Sequence, residues 1–275
     1  MNAKLPDKVQ CLLHMYIERM NVLIPDMVEG LYIHGSLALG AFVERSSDID
    51  FITVIKRPLT NEELEKVADI HRWIAASYPS PEMDGVYMTK GDLEDVHSEC
   101  QSLPYVSSGE LYVGPYFNDN PVTWHVMEKY GIRVLGPETC GLNLRGKAGS
   151  LIPYVIANMN SYWTSRVGGL EAGKDSISLL SKEQIDVEIE WSVLGLLRQF
   201  YTIREDAVIS KLGAGEYALN HVAEEWRPII REAISIRLGK TDRVYRTERE
   251  RVETMIDFMK YIMDQYLMIK KEEWR

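Results

Sequence analysis

Paired cysteines, long apolar runs and an excess of basic residues are all missing from this sequence. Its three cysteines are scattered and odd in number, which argues against a disulfide framework and against a zinc site with regularly spaced ligands. No apolar run approaches the length of about 18 residues that a membrane helix needs. The first ten residues are polar and lack the apolar core of a signal peptide. We therefore expect a cytoplasmic protein without a membrane partner.

The low number of basic residues relative to acidic ones limits the kinds of ligand that the protein is expected to bind. Lys and Arg number 31 against 41 Asp and Glu, so the formal net charge is −10. Proteins that bind polynucleotides usually present a basic face to the phosphates, so a nucleic-acid polymer is disfavoured as a partner. Residues 1–150 carry 13 basic and 21 acidic residues, whereas residues 151–275 carry 18 and 20. An acidic N-terminal half suits a divalent cation or a small cationic molecule.

The 275 residues, 45% of them hydrophobic, are enough for two domains. Apolar periodicity alternates between helical and extended patterns in the first half, whereas only helical patterns follow residue 150. We predict a small α/β domain with a mixed sheet over residues 1–145 and an all-α helical bundle over residues 146–275. Residues 98–121 are rich in Gly, Pro, Ser, Tyr and Asn without a clear period, which predicts a long irregular loop of functional importance.

The most informative motif is Gly35-Ser36, followed by Asp48 and Asp50 around an isoleucine. Apolar residues before Gly35 predict a buried strand that stops at a tight turn. Those after Ser36 predict a short helix whose first amides point at an anion. An apolar strand follows Asp50, and alternate residues on a strand face the same way, so both carboxylates are expected to point together.

Such a pair of carboxylates has a chemical meaning. Two like charges repel unless a cation lies between them, and Mg²⁺ prefers carboxylate and phosphate oxygens. Gly35 permits close backbone approach to a phosphate, and the Ser36 hydroxyl adds a further contact. The motif therefore predicts a metal–nucleoside triphosphate site with Asp48 and Asp50 as ligands of Mg²⁺. The alternative is a surface turn followed by an Asp-rich strand entry.

The arrangement resembles the nucleotidyltransferase superfamily, whose pattern is an apolar residue, Gly, Gly or Ser, a spacer, and Asp-x-Asp in a strand. Further segments look like the bacterial aminoglycoside adenylyltransferases that modify streptomycin and spectinomycin. These segments are Leu135-Gly136-Pro137-Glu138, Leu196-Leu197-Arg198, Ser210-Lys211, Glu216-Tyr217-Ala218 and Trp226-Arg227-Pro228. The likeness covers about residues 28–240; its Gly-Ser/Asp-x-Asp part is specific for the superfamily, and its C-terminal part is looser.

The resemblance implies a third carboxylate, and Asp84 occupies its position. In the adenylyltransferases this residue is a Glu that acts as general base for the acceptor hydroxyl and contacts the metal. Asp84 is one methylene shorter, so two roles stay open, general base or metal ligand only. The alternative is a solvated carboxylate at a strand edge, followed by the turn-forming Gly85.

Weaker candidates lie in the second half. The resemblance implies that Lys211 contacts the triphosphate and that Glu216 binds a cationic drug. The alternatives are a solvated lysine and an exposed helix carboxylate. Arg198 lies within an apolar helix, where a charge needs a partner. It binds either a phosphate or a buried carboxylate such as Glu190.

Two candidates remain in the first half. Arg45 either neutralises triphosphate charge or caps the segment before Asp48. Trp124 follows the predicted loop, and its ring either stacks on the substrate or belongs to the core.

The function that the resemblance implies is Mg²⁺-dependent transfer of a nucleotidyl group, AMP from ATP, with release of pyrophosphate. The acceptor is a hydroxyl of a small cationic molecule such as an aminoglycoside or aminocyclitol. Two alternatives stay open: transfer to a protein or another metabolite, because fold does not settle the substrate, and a nucleotide-binding regulator without turnover. Retention of both Asp48 and Asp50 favours catalysis.

Overall fold

Two units divide the chain, Met1–Gly149 and Ser150–Arg275. The computed structural model describes residues 5–94, 101–142, 144, 151–240 and 242–273, with side chains described up to residue 265. The predicted domain boundary at residues 145 and 146 lies outside the described residues.

The first unit is built on a six-stranded sheet with the strand order β5-β4-β3-β2-β1-β6. Its strands are β1 (Val28–Ile33), β2 (Ile49–Ile55), β3 (Met83–Thr89), β4 (Ser102–Ser107), β5 (Glu110–Pro115) and β6 (Ile132–Leu135). Its helices are α1 (Asp7–Leu23), α2 (Gly35–Ala38), α3 (Asn61–Ser77), α4 (Lys90–Glu94) and α5 (Pro121–Tyr130). The pair β2 and β3 is parallel, and the other pairings are antiparallel.

Helix α3 makes the parallel pairing of β2 and β3 possible, because parallel neighbours need a crossover connection. The helix begins at a capping box: the Thr60 side chain accepts from the Glu63 amide, and the Glu63 side chain accepts from the Thr60 amide. Its apolar stripe then packs against the sheet. In the resulting register Asp50 is the partner of Asp84.

A chain of buried hydrogen bonds ties α1 and α3 to these two strands. The Tyr16 hydroxyl contacts Thr53 Oγ1 at 2.7 Å and donates to the Tyr87 hydroxyl at 2.9 Å. His71 Nε2 lies 2.7 Å from the same Tyr87 oxygen. Burial lowers the pKa of His71 to about 3, so its ring is neutral. Because Thr53 and Tyr87 are partners in the β2–β3 register, the network is satisfied only in that register.

The prediction of an irregular loop over residues 98–121 is wrong for residues 102–115, whereas residues 116–120 belong to no helix or strand and residues 98–100 lie outside the described residues. Strands β4 and β5 form a hairpin there, joined by Ser108 and Gly109. Both turn residues have positive φ, 51° and 78°, as two-residue hairpin turns of type I′ require. The strands contain Pro and Gly, which weakens their local extended pattern. Strand β4 pairs with β3 and β5 pairs with β4, and a periodicity argument does not detect such pairing.

The second unit is helical. Its helices are α6 (Leu151–Asn158), α7 (Thr164–Ile177), α8 (Lys182–Ile189), α9 (Gly195–Glu205), α10 (Lys211–Ala218), α11 (Arg227–Arg237) and α12 (Glu248–Glu273). Two π-helical turns, Met159–Trp163 and Glu190–Leu194, join α6 to α7 and α8 to α9. The predicted fold class, a mixed α/β unit followed by a helical unit, is confirmed. Within the described residues, no helix has both the length and the apolar character of a membrane span.

Candidate active site

The Gly-Ser part and the Asp-x-Asp part of the sequence motif contact each other through Gly35 and Asp50. Strand β1 ends at Ile33, and the amide of His34 donates to the carbonyl oxygen of Asp50 at 3.0 Å. Gly35 then has a φ of +59°, and a Cβ atom at this position would lie 1.8 Å from Oδ2 of Asp50. Only glycine therefore leaves room for the carboxylate beside the turn.

The side chains of His34 and Ser36 flank this turn. His34 is 4% exposed, and burial lowers its pKa to about 4, so the ring is neutral. In the described part of the chain, the buried Nε2 of His34 and the buried Oγ of Ser36 have no hydrogen-bond partner. Buried polar atoms are normally satisfied. An oxygen-rich ligand beside the turn would satisfy the Ser36 hydroxyl.

Asp84 stands directly beside Asp50, because the two are register partners on parallel strands. Its Oδ1 accepts a hydrogen bond from the Ser108 amide in the β4–β5 turn at 2.9 Å. Burial raises the pKa of Asp84 to about 6; the Ser108 amide opposes this rise, and the charges of Asp48, Glu82 and Asp50 add to it. The structure thus brings the three predicted carboxylates, Asp48, Asp50 and Asp84, close together.

Two polar contacts fix the segment that precedes Asp48. The Val43 amide donates to Ser47 Oγ at 3.0 Å. The Glu44 carboxylate pairs with Lys8 at 2.6 Å. Arg45 and Asp48 are both exposed in this segment, so Arg45 lies three residues before the carboxylate and is open to solvent. The segment holds Asp48 at the entrance to β2.

No preformed metal cage exists in the parts of the chain that the structure describes. A group of three or more His, Cys, Asp or Glu side chains with metal-binding geometry is not found there. Mg²⁺ differs from zinc in this respect, because it is usually held by one or two carboxylates and completed by phosphate oxygens and water. Asp50, Asp84 and the exposed Asp48 are a donor set of that chemistry, so these residues fit Mg²⁺ bound together with a nucleotide.

Trp124 lies in the core of the first unit. It is 1% exposed, and its indole N–H donates to Asp119 Oδ1 at 2.6 Å. The ring packs among apolar side chains that include Tyr32 and Ile52. It therefore has no open face for stacking on a substrate, which answers the alternative that the sequence left open.

The second unit holds a cluster of cations around one carboxylate. Glu190, from the second π-helical turn, is 8% exposed and pairs with Lys211 and Arg237, both at 3.1 Å. Burial lowers the pKa of Lys211; Glu190 opposes this, while Arg237 and Arg198 add to the lowering. Arg198 donates from Nε to the carbonyl of Ile209 at 3.2 Å. Lys211 and Arg237 thus share the carboxylate of Glu190, and the charge of Arg198 acts on Lys211.

Local structure explains the placement of Lys211. Ser210 caps α10 by accepting from the Gly213 amide, which puts Lys211 at the first helical position. Glu216 lies one and a half turns further along the same helix and is exposed. The structure therefore places Arg198 and Lys211 together and leaves Glu216 on the surface of α10.

Sequence reasoning missed three residues of these two clusters. Ser108 was hidden because the hairpin that carries it was not predicted. Tyr116, which follows β5, has its pKa raised by burial and by the charges of Asp50 and Asp84, which places it near both carboxylates. Arg237 carried a signal that was available: it is a cation near the end of the strongly amphipathic helix α11, where a buried charge needs a partner.

Comparisons with known proteins agree with this architecture. Residues 168–261 match the family model of the aminoglycoside adenylyltransferase C-terminal domain. The chain is also similar to the crystal structure of spectinomycin adenyltransferase AAD(9) from Enterococcus faecialis with ATP and spectinomycin. The TM-score is 0.60 and the identity 14%, over 92% of this chain and 98% of that chain. A search of curated proteins gives no match.

The two matches cover different parts of the chain: the family model covers a segment of the helical unit, and the structural likeness covers most of the chain. The family model matches a segment of the helical unit by its sequence, whereas a structural likeness at 14% identity establishes the fold alone. Together they confirm the predicted resemblance: this chain has the fold of the spectinomycin adenyltransferase structure, and residues 168–261 match the model of the aminoglycoside adenylyltransferase C-terminal domain.

Proposed function

We propose that this protein transfers AMP from Mg-ATP to a hydroxyl group of a small cationic acceptor, of the aminocyclitol or aminoglycoside type, and releases pyrophosphate. One observation carries the proposal: Asp50 lies beside Asp84 in register and beside the Gly35 turn, where any side chain would collide with its carboxylate. A surface turn followed by an Asp-rich strand would not require either relationship.

Two carboxylates and the turn are the proposed binding elements for the nucleotide. Asp48 and Asp50 would hold Mg²⁺, which neutralises phosphate charge and aligns the α-phosphorus when it is bound. The Gly35 backbone and the Ser36 hydroxyl would contact the β- and γ-phosphates. Burial of that hydroxyl without a partner in the described residues supports this role. Arg45 would add positive charge from the exposed segment before Asp48.

Asp84 would act on the acceptor. Its carboxylate takes the proton of the acceptor hydroxyl, the hydroxyl oxygen forms a bond to the α-phosphorus, and the bond from the α-phosphorus to the bridging oxygen breaks as pyrophosphate leaves. A pKa near 6 supports a general base that is ionised at neutral pH yet more basic than an ordinary carboxylate. A role as metal ligand alone predicts that a change at Asp84 weakens ATP binding as much as turnover.

The helical unit would supply further charges. Arg198 and Lys211 are proposed phosphate ligands, and the position of Lys211 beside Arg237 and Arg198 supports that assignment. Glu216 is proposed to bind a cationic group of the acceptor, consistent with its exposure on α10. Trp124 has no part in this proposal, because its ring is buried. The comparison protein was solved with ATP and spectinomycin, which supports the choice of nucleotide and of acceptor class.

The experiment that tests the proposal is pyrophosphate release from Mg-ATP with spectinomycin and streptomycin. Wild type is compared with Asp50→Asn and with Asp69→Asn, a matched control on the exposed side of α3. We expect acceptor-dependent release in wild type and in the control, and none above background in Asp50→Asn. Undiminished release in Asp50→Asn would refute the metal assignment. Absence of release with either acceptor in wild type would refute the acceptor class.

A further inference from the structure

Four aromatic rings on the β4–β5 hairpin and just after it form a continuous group, which we call the aromatic shelf. The ring centroids of Tyr105 and Tyr112 are 5.4 Å apart and nearly parallel. Tyr105 also lies 5.6 Å from Tyr116 and 5.9 Å from Phe117, and the last two rings are 5.3 Å apart. Every ring therefore contacts at least one other member of the shelf.

The shelf lies on the same face of the sheet as the carboxylates. Tyr105 is the register partner of Val86, which shares a face with Asp84 because the two are separated by one residue. Tyr112 in turn is the register partner of Tyr105. Tyr116 lies near Asp50 and Asp84, as the influence of both charges on its hydroxyl indicates. The aromatic surface thus continues directly from the acidic site.

The outer rings of the shelf are open to solvent. Tyr112 is 49% exposed and Phe117 is 60% exposed, while Tyr116 is 6% exposed and anchors the group. Cross-strand aromatic pairing stabilises a hairpin, which accounts for Tyr105 against Tyr112. It does not account for Phe117, which follows the strand and leaves most of an apolar ring in water.

The combination has a specific binding chemistry. The face of an aromatic ring carries negative potential and attracts organic cations, and the same face packs against the apolar side of a saturated ring. The carboxylates of Asp50 and Asp84 near Tyr116 add negative charge that a cation complements. A small organic cation with a ring skeleton meets both requirements, whereas a free metal ion or an inorganic phosphate does not need the rings.

We propose that the aromatic shelf holds the ring skeleton of the acceptor beside Asp84, with Tyr112 and Phe117 as specificity-determining residues. This inference rests on the proposed function, because it assigns a part of the acceptor site of that reaction. The contacts between these rings and the ring skeleton of the acceptor would then decide which of two cationic acceptors of equal charge is preferred.

The test compares Phe117→Ala and Tyr112→Ser with Val113→Thr. Val113 is a matched control, because it is 58% exposed on the same strand but points to the opposite face. Pyrophosphate release is measured over a range of spectinomycin, streptomycin and ATP concentrations. Loss of one ring contact corresponds to about a three- to tenfold rise in the KM for the acceptor. We expect that rise in both shelf variants, with an unchanged KM for ATP, and neither effect in Val113→Thr.

A binding measurement separates the failure of this inference from the failure of the proposed function. Saturation-transfer NMR detects binding of spectinomycin and streptomycin in the presence of Mg²⁺ and a non-hydrolysable ATP analogue, without turnover. Binding that is weakened in Phe117→Ala but not in Val113→Thr supports the shelf even if wild type releases no pyrophosphate. Equal acceptor binding by all variants, or no binding by wild type, would overturn the inference. Loss of thermal stability with unchanged acceptor KM would assign the rings a structural role only.

Discussion

The backbone of Gly35 lies against the carboxylate of Asp50. A Cβ atom added to Gly35 would stand 1.8 Å from Oδ2 and 2.6 Å from Cγ of Asp50, and the glycine has a φ of +59°. Residues fifteen positions apart are thus packed without space for a single methyl group. This contact explains why the turn and the carboxylate belong to one site, and it leads to a direct test.

Gly35→Ala is expected to abolish nucleotidyl transfer, because the new methyl group must displace the Asp50 carboxylate. Gly40→Ala is the matched control: Gly40 has a φ of +65°, but a Cβ there meets no atom within 4 Å. Both variants carry the left-handed backbone strain of about 1 kcal/mol. Urea unfolding measures that shared loss of stability, and pyrophosphate release measures the difference in activity. Equal activity of the two variants would contradict a role for the contact.

The activity of the wild type is expected to fall as the pH drops through about 6. Burial and the neighbouring carboxylates raise the pKa of Asp84 to about 6 in the absence of ligands, and only the ionised carboxylate can accept a proton or bind Mg²⁺. The pH profile of kcat/KM for the acceptor measures this limb. Asp84→Asn should lower kcat with little change in the KM for ATP if Asp84 is the base. An equal effect on ATP binding would make it a metal ligand only.

The same residue links pH to stability. The folded-state pKa of Asp84 is raised above its ordinary value of 3.8, so the folded chain binds the proton more tightly than the unfolded chain. Stability is therefore lost as the pH rises from about 4 to about 6. In metal-free buffer at pH 7.5, Asp84→Asn should be more stable than wild type by about 1 kcal/mol, after allowance for solvent screening. Urea unfolding at pH 7.5 and at pH 4 measures this; a gain of equal size at both pH values would contradict the assignment.

Tyr87→Phe is expected to destabilise the first unit by about 1–3 kcal/mol. The change removes the oxygen that contacts His71 Nε2 and accepts from Tyr16, and it leaves a buried nitrogen without its partner. Tyr130→Phe, on a ring that is 43% exposed, is the control and should be nearly neutral. Thermal unfolding of both variants checks the difference. A Tyr87→Phe variant as stable as the control would show that the buried hydroxyl network does not support the sheet.

Glu190→Gln is expected to lower stability by about 3 kcal/mol at low salt, because Lys211 and Arg237 lose the carboxylate that both of them contact. The surplus positive charge should make the variant more responsive to polyanions. We expect tripolyphosphate to raise the melting temperature of Glu190→Gln by more than that of wild type. Glu183→Gln, at an exposed position near the start of α8, is the control. Equal stabilisation of all three proteins by tripolyphosphate would argue against an anion site at Lys211.

Local sequence patterns fixed much of the architecture. The alternation of helical and extended patterns in the first half predicted a mixed α/β unit, and strands β3 and β6 lie in that half. The capping box at Thr60 and Glu63 is a local signal for the start of α3, and the tract that follows residue 150 predicted helices alone. These signals are local, because a capping box or a helical stripe depends on residues three or four positions apart.

The hairpin after residue 101 was decided by tertiary structure. Its strands contain Pro104 and Gly114; β4 pairs with β3, and β5 pairs with β4 at the edge of the sheet. A prediction from β-propensity is lowered by these Pro and Gly residues, whereas the hydrogen bonds between β4 and β3 exist only after folding. Because the hairpin was not predicted, neither the aromatic shelf nor the hydrogen bond from the Ser108 amide to Asp84 could be predicted from the sequence.

The sequence by itself determined which residue types the site contains and their order: glycine and serine at a turn, then Asp48 and Asp50, then Asp84. Tertiary structure decided which of them meet. The register of β2 against β3 places Asp50 beside Asp84, the burial of Trp124 removes it from the surface, and Glu190 pairs with Lys211 and Arg237 across three elements of the helical unit. Such contacts join residues far apart in the chain, and their energies depend on burial and register, which no local pattern encodes.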